Sequence, residues 1–328
     1  MKKILSFLLT ASVVFTACSG ASQDIIFDSD ANNELDDQHA IAYLLMNQDY
    51  FNVLAITTNA TRVGGDAAMH AVEAQRIVHL MGDLGKDIPI LPGATGKYEE
   101  IHSTLASERY DGWEAVDFII DAARKHSAKK KLLLVPVGKL TNIALALEKA
   151  PDIADKVKIL WLGSNYPRPG EYNLDNDIPS MNYVLDQNVE TEFALVDPQN
   201  GMSATAQVCV TRGEVKEKFV GKGPKVQPIV GRQGGMFNCF GDYSLNLFDQ
   251  CSKDDNYKRA LFDMAALSLA RHPEWAEERE IPAPTMVDKN FVERPSNEHK
   301  IKIRYNFNRD AIIEDFTRCL DEATPKSK

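Results

Sequence analysis

Short apolar runs and longer stretches of helical period take turns along this chain. "DIIFDSD" (24–30) reads as a strand, and "DDQHAIAYLLMNQ" after it reads as a helix with Ile41, Leu44 and Leu45 on one face. "FNVLAITTN" predicts a second strand. The next helix runs from about Asp66 to Met81, with Ala67, Ala71, Ala74, Ile77, Val78 and Met81 in one stripe. "IPILPG" is a short strand, "GWEAVDFIIDAARKH" a helix and "KLLLVPVG" a buried strand. "LTNIALALEKA" and "VKILWLG" then repeat the helix–strand order. Strands that are apolar throughout, separated by helices, predict an α/β fold: an open, mainly parallel sheet with helices on both faces and a Rossmann-like core.

From about Gly201 to Lys258 the periodicity loosens. "GKGPKVQPIVGRQGGMFNCFG" is rich in Gly and Pro and is expected to be loop or lid. A helix resumes near "NYKRALFDMAALSLARH", and "HKIKIRYNFNRDAIIEDFTRCLDEA" reads as a strand and a closing helix. No repeat or linker interrupts the chain, so residues 24–328 are read as one domain.

Composition narrows the class. The 328 residues are 44% hydrophobic, enough for a substantial core, and the formal net charge of -10 argues against nucleic acid or an anionic membrane surface as partner. The first residues add a compartment. Lys2 and Lys3 precede an apolar run from Ile4 to Phe15, then Thr16-Ala17-Cys18 and a loose Ser/Gly/Ala stretch. This is the layout of a secretory signal, and the cysteine after small residues resembles a bacterial lipoprotein box. The reading is a signal over 1–17, lipidation at Cys18 and a tether over 18–23. It predicts export and a lipid anchor in the cell envelope, at the outer membrane on its periplasmic or surface side. An ordinary cleaved signal is the alternative. The run is too short for a confident membrane span. Of the later cysteines, Cys209, Cys239, Cys251 and Cys319, none has metal-ligand spacing; an exported compartment permits disulfides, Cys239 with Cys251 could close a small loop, and buried or bridged cysteines are expected.

The candidate chemistry lies at the first strand-to-helix turn. Asp28 and Asp30 end the strand, and Asp36 and Asp37 open the helix. In an open parallel sheet ligands sit at the carboxyl ends of strands. Carboxylates crowded there repel, and a hard divalent cation such as calcium resolves the conflict. Helix capping accounts for one or two of these residues but not for the pair at the strand end.

"IIFDSDANNELDDQHAIAYLL" resembles the N-terminal signature of the inosine–uridine nucleoside hydrolases, a D-x-D strand end followed by an Asp-Asp pair. "VLAITTNAT", "IPILPGA", "LLLVPVGKLTNIALAL", "KVKILWLGSNY", "SMNYVLDQNVE" and "ALFDMAALSLA" are similar to further blocks in the same order. The resemblance implies calcium-dependent hydrolysis of the N-glycosidic bond of ribonucleosides or a related ribosyl compound. Asp30 would ligate calcium and take a proton from the attacking water. Asp37, the Val137 backbone carbonyl and Asp263 would complete the ligands. Asp36, Asn182, Asn173 and Asn59 would hold the sugar, with Asp28 and Asn33 behind them. The family also commonly forms homo-oligomers, and its substrates are small molecules.

Several positions depart from the family pattern. "ANNEL" between the acidic pairs is two residues longer than the usual turn and brings Asn32, Asn33 or Glu34 within reach of the site. The segment "TTNATRVGG" offers Asn59 or Arg62 in place of the usual Asn. Ser180 stands two residues before Asn182, where a Glu is usual. Phe262 stands before Asp263, where many members carry a His that assists the departing base. Phe262, Tyr243, Phe237 and Trp275 are candidates to stack on a base, although packing accounts for each. His39 and His79 are read as structural, while His102 lies in a loop where some members place a base-contacting His. Two other readings compete. One is an anchored nucleoside- or sugar-binding lipoprotein that keeps the metal site without turnover. The other is a haloacid dehalogenase-type phosphotransferase, disfavoured because Asn32 stands where Thr or Val is expected.

Overall fold

The computed structural model describes residues 22–199 and 201–326. The signal, Cys18 and most of the tether expected from the sequence lie outside the described residues. Eight strands build the main sheet: β1 (Gln23–Ser29), β2 (Phe51–Thr58), β3 (Ile90–Pro92), β4 (Leu132–Pro136), β5 (Val157–Leu162), β6 (Glu190–Ala194), β7 (Glu277–Pro282) and β8 (Lys300–Tyr305). Their spatial order is β7-β8-β6-β5-β4-β1-β2-β3. Neighbours run parallel throughout, except that β7 pairs antiparallel with β8 at the edge.

The order explains where a site can form. From β1 the chain proceeds outward through β2 and β3, then returns to the other side of β1 for β4 and continues through β5 and β6. The reversal falls between β1 and β4, and a crevice opens at their carboxyl ends. Asp28 and Asp30 stand at the end of β1, and Val137 follows β4.

Both sheet faces are covered, as the continuous apolar strands require. Ile25, Phe27, Leu133 and Val135 enter one core, while Ile26, Leu132 and Leu134 enter the other. The first core is closed by α1 (Asp36–Met46), α2 (Ala67–Leu80) and later helices, and the second by α3 (Trp113–Arg124), α4 (Thr141–Lys149) and α5 (Ile178–Asp186). Among the described residues no helix is long and apolar enough to cross a membrane.

The region expected to be loop or lid is more ordered in its secondary structure. It contains a helix at Arg212–Lys218 and α6 (Phe240–Cys251), besides a two-stranded hairpin, Ile229–Val230 with Met236–Phe237. In α6, Phe240, Tyr243, Leu247 and Phe248 fall at helical spacing and are buried. The Gly- and Pro-rich flanks hide that short stripe in the sequence. The small Cys239–Cys251 loop that the sequence allows does not form: the two residues flank and end α6, and both are free, Cys239 being buried. A helix of that length separates its ends by about 18 Å, well beyond disulfide reach. The tail gives β8 and then α8 after the helix α7 (Phe262–Arg271), α8 spanning Arg309–Ala323.

His39 on α1 is a core residue, as its helical position suggests. Its Nδ1 donates to the Leu35 carbonyl (2.6 Å), so its Nε2 accepts from the Ser244 hydroxyl (2.7 Å). Burial pushes its pKa down to about 4, against the smaller opposing effect of the Leu35 bond. The unfolded chain therefore binds a proton between about pH 6.5 and pH 4 that the folded chain refuses. Acidification through that window removes about 3 kcal/mol from this residue alone. The expected result is a steeper loss of urea resistance from pH 7 to pH 4.5 in the wild type than in His39→Gln; equal slopes contradict it.

Candidate metal and substrate site

The cavity at the carboxyl ends of β1 and β4 has a volume of about 240 Å³. Asp30, Asp36, Asp37 and Asp263 line it together, along with Val137 and Asn173. Four elements therefore meet there: the end of β1, the start of α1, the turn after β4 and the start of α7. All four aspartates are buried. The closest triad is Asp36, Asp37 and Asp263, with one carboxylate oxygen from each lying within 4.8 Å of the others. Asp30 faces the same space just outside that triad.

The local order follows from the sequence. The Ser29 hydroxyl donates to Asp37 (2.6 Å) and fixes it across the turn. The Thr61 hydroxyl and Asn33 Nδ2 both donate to Asp30 Oδ2, the latter at 3.1 Å. Asn33 thus supports Asp30 from the inserted loop and also lines the cavity. Glu34 lines it too and pairs with Arg259, while Arg232 from the hairpin loop donates to the Glu34 carbonyl (3.0 Å). Asn32 turns away, donating to the Gly64 carbonyl (2.6 Å), while its own backbone N–H donates to His70 Nδ1 (3.0 Å). Gly64 has a φ of +98°, and a Cβ there would come within 2.8 Å of the Asn32 backbone. A side chain at position 64 would displace the inserted loop.

Asp28 lies behind the cavity. Thr57 (2.6 Å), Asn142 (2.7 Å) and Asn59 (2.9 Å) all donate to it, and its backbone carbonyl accepts from Val137 N–H (2.8 Å). Asp28 therefore ties β1 to the turn that presents the Val137 carbonyl. That carbonyl accepts from Asn173 Nδ2 (2.7 Å), which also donates to the Leu162 carbonyl (3.1 Å).

Two asparagines expected at the sugar are elsewhere. Asn182 donates to the Met286 carbonyl (2.9 Å) and accepts from Met286 N–H (2.8 Å) and the Thr285 hydroxyl (3.1 Å). It clamps the Thr285–Val287 strand to α5 and does not line the cavity. Asn59 is fully buried and spends its amide on Asp28. The Glu that Ser180 lacks is found earlier: Glu171 stands two residues before Asn173, and both line the cavity. Glu171 accepts from the backbone N–H groups of Ser164 (3.0 Å), Asn173 (2.9 Å) and Leu174 (2.8 Å), capping the short helix Tyr172–Asn176. The "GEYN" run was the signal for it.

Tyr172 and Asn165 in the lining, and Thr61 behind Asp30, carry no motif that marks them in the sequence. Tyr172 lines the cavity and its hydroxyl donates to Thr61 (3.3 Å), extending a hydroxyl chain to Asp30. Among the candidate aromatics, Phe262 lines the cavity. Tyr243 is buried with its hydroxyl on Glu73, Phe237 packs on Tyr243, and Trp275 stacks on His272. His102 stacks on Tyr98 and is likewise absent from the lining.

The electrostatics show whether the residues fit a cation. Burial, then the charge of Asp37, raises the Asp30 carboxyl well above its ordinary range. Burial pushes Asp36 up to about 7, with Asp30 adding to the rise, and burial with Asp36 does the same for Asp37. Asp263 is raised by burial and then by Asp36, Asp37 and Asp30. No lysine, arginine or histidine lines the cavity among the described residues. A buried all-oxygen cluster without a cationic side chain fits a hard divalent ion. Ion binding needs these groups deprotonated, so affinity is expected to fall below about pH 7. The fall should be about tenfold to a hundredfold per pH unit, with one or two protons displaced. Titration calorimetry at pH 8, 7 and 6 measures it, and an affinity independent of pH contradicts it.

Fold and site together define an α/β protein with an acidic, cation-competent cavity at the switch point of its sheet. The chain belongs to the inosine-uridine preferring nucleoside hydrolase family, whose sequence profile matches residues 25–314. It is 32% identical over 209 residues to the inosine-uridine preferring nucleoside hydrolase of Leishmania major, covering 56% of this chain and 63% of that protein. The protein of the same description from Crithidia fasciculata is 28% identical over 207 residues, with the same coverage. The matches thus span somewhat less than two thirds of these relatives' length. A solved plant nucleoside hydrolase superposes with a TM-score of 0.69 at 19% identity, covering 91% of this chain and 99% of that one, a likeness of fold.

Proposed function

We propose that this chain hydrolyses the N-glycosidic bond of ribonucleosides or a related ribosyl compound, with calcium as its cation. The observation that carries the reading is the convergence of Asp30, Asp36, Asp37 and Asp263 in one cavity of a nucleoside hydrolase fold. Asp37 and Asp263, with Asp36 beside them, would hold the ion, and Asp30 and the Val137 carbonyl stand within the same cavity. When bound, the ion supplies positive charge that acidifies water and anchors sugar hydroxyls.

The protein's own groups do the rest. Asp30, ionised beside the bound cation, accepts the proton of the attacking water. Thr61 and Asn33 fix the orientation of its carboxyl. Asn173 and Asp36 border the space where the sugar would sit. The carboxylates favour the positive charge that develops on the sugar as the bond breaks. Export and lipidation at Cys18 remain part of the proposal and rest on the N-terminal sequence.

A reducing-sugar assay over a nucleoside panel, with calcium and then with a chelator, tests the reading. Ribose release lost on chelation supports it. Tight ligand binding with no ribose from any compound would move the protein to the binding reading.

A further inference from the structure

The cavity has a base but no acid for the leaving group. None of the seven histidines lines it, nor does any lysine, arginine or cysteine among the described residues. Phe262 occupies the position before Asp263 and donates nothing. Tyr172 has the one hydroxyl in the lining, and that hydroxyl points along Thr61 toward Asp30, on the side of the base. Asn173 spends both amide protons on carbonyls, and amides do not release protons in this role. The remaining carboxylates are committed: Glu34 pairs with Arg259, Glu171 accepts three backbone N–H groups, and the aspartates must be ionised to hold a cation.

The charge of the lining points the same way. Asp30, Glu34, Asp36, Asp37, Glu171 and Asp263 are all acidic. With Glu34 paired and a divalent ion bound, the lining still carries formal negative charge. Phe262, Leu162 and Val196 give the same cavity an apolar wall. An acidic, partly aromatic cavity without a proton donor suits a planar cationic leaving group.

We propose that the preferred substrates are N-ribosylpyridinium compounds, in which the ring nitrogen bonded to the sugar carries the positive charge. This rests on the hydrolase reading above and names its substrate class. As the C1'–N bond breaks, its electron pair returns to the ring nitrogen and leaves a neutral pyridine. Water forms the new C1'–O bond, and its proton goes to Asp30. The leaving group takes up no proton, so no acid is needed. A neutral purine or pyrimidine departs poorly without one, and acid assistance is worth about 10²–10⁴-fold.

The test compares kcat/KM of the calcium-loaded enzyme on the N-ribosylnicotinamide cation with inosine, adenosine, uridine and cytidine, after subtracting uncatalysed hydrolysis. The expected result is a value at least about 100-fold above the best neutral nucleoside. The pH–rate profile on the cation should show one ascending limb, from the base, and no descending limb from an acid. A neutral nucleoside cleaved within tenfold of the cation, or a descending limb on the cation, overturns the substrate assignment while leaving the hydrolase reading intact. No ribose from any of the five compounds overturns both.

Discussion

Asp30→Asn is expected to lower ribose release by about 10³-fold while leaving the chain folded. The amide keeps the shape of the carboxylate and one oxygen donor but cannot take up the water's proton. Thr61 and Asn33 both donate to Asp30 Oδ2, so the amide must turn its oxygen toward them and present its NH₂ to the cavity. The predicted signature is a fall in kcat at a modest change in KM, as expected of a group proposed to act on the water rather than on the sugar. Unchanged turnover would remove Asp30 from the role of base.

Asp263→Asn is the second large effect, and it has opposite signs with and without calcium. In the cation-free protein Asp263 adds a fourth buried carboxylate to Asp30, Asp36 and Asp37, and each raises its pKa. Above the ordinary carboxylate pKa, folding must either protonate this group or bury its charge, a cost that Asn does not carry, so the cation-free variant is expected to melt higher than the wild type. With calcium at a hundredfold its Kd, the wild type gains about 2.7 kcal/mol that the variant largely forgoes. Thermal melts of both proteins with calcium and with chelator give the four values needed. A variant that melts lower in chelator and still responds fully to calcium contradicts the site.

The parts of this site legible in the sequence share one property: their roles are set by neighbours close in the chain or by a strand end. Asp28, Asp30, Asp36 and Asp37 surround one turn, so periodicity alone places them at the carboxyl end of a strand. Asn33 follows because the inserted loop folds back on Asp30. Asn182 shows what sequence leaves out. Its partners, Thr285 and Met286, lie about a hundred residues away in a short hairpin with no strong strand pattern. Asn59 fails differently: it follows β2 directly, but Asp28 claims its amide from beneath. Glu34 is a candidate in the sequence, yet its carboxylate pairs with the distant Arg259, and its backbone carbonyl accepts from Arg232 of the Gly-rich hairpin loop. The main sheet was readable because its strands are buried on both faces. The order of β7 and β8 at one edge was not, since those strands carry charged residues and β7 is largely exposed.

One bound cation is expected to turn this carboxylate cavity into a ribosyl hydrolase. Titrating calcium into chelator-stripped enzyme, while following bound calcium and ribose release in the same sample, tests it most directly. Ribose release should rise in proportion to occupancy and level off at one calcium per chain. Full release from the stripped protein, or saturation with calcium and no release from any ribosyl substrate, would contradict it.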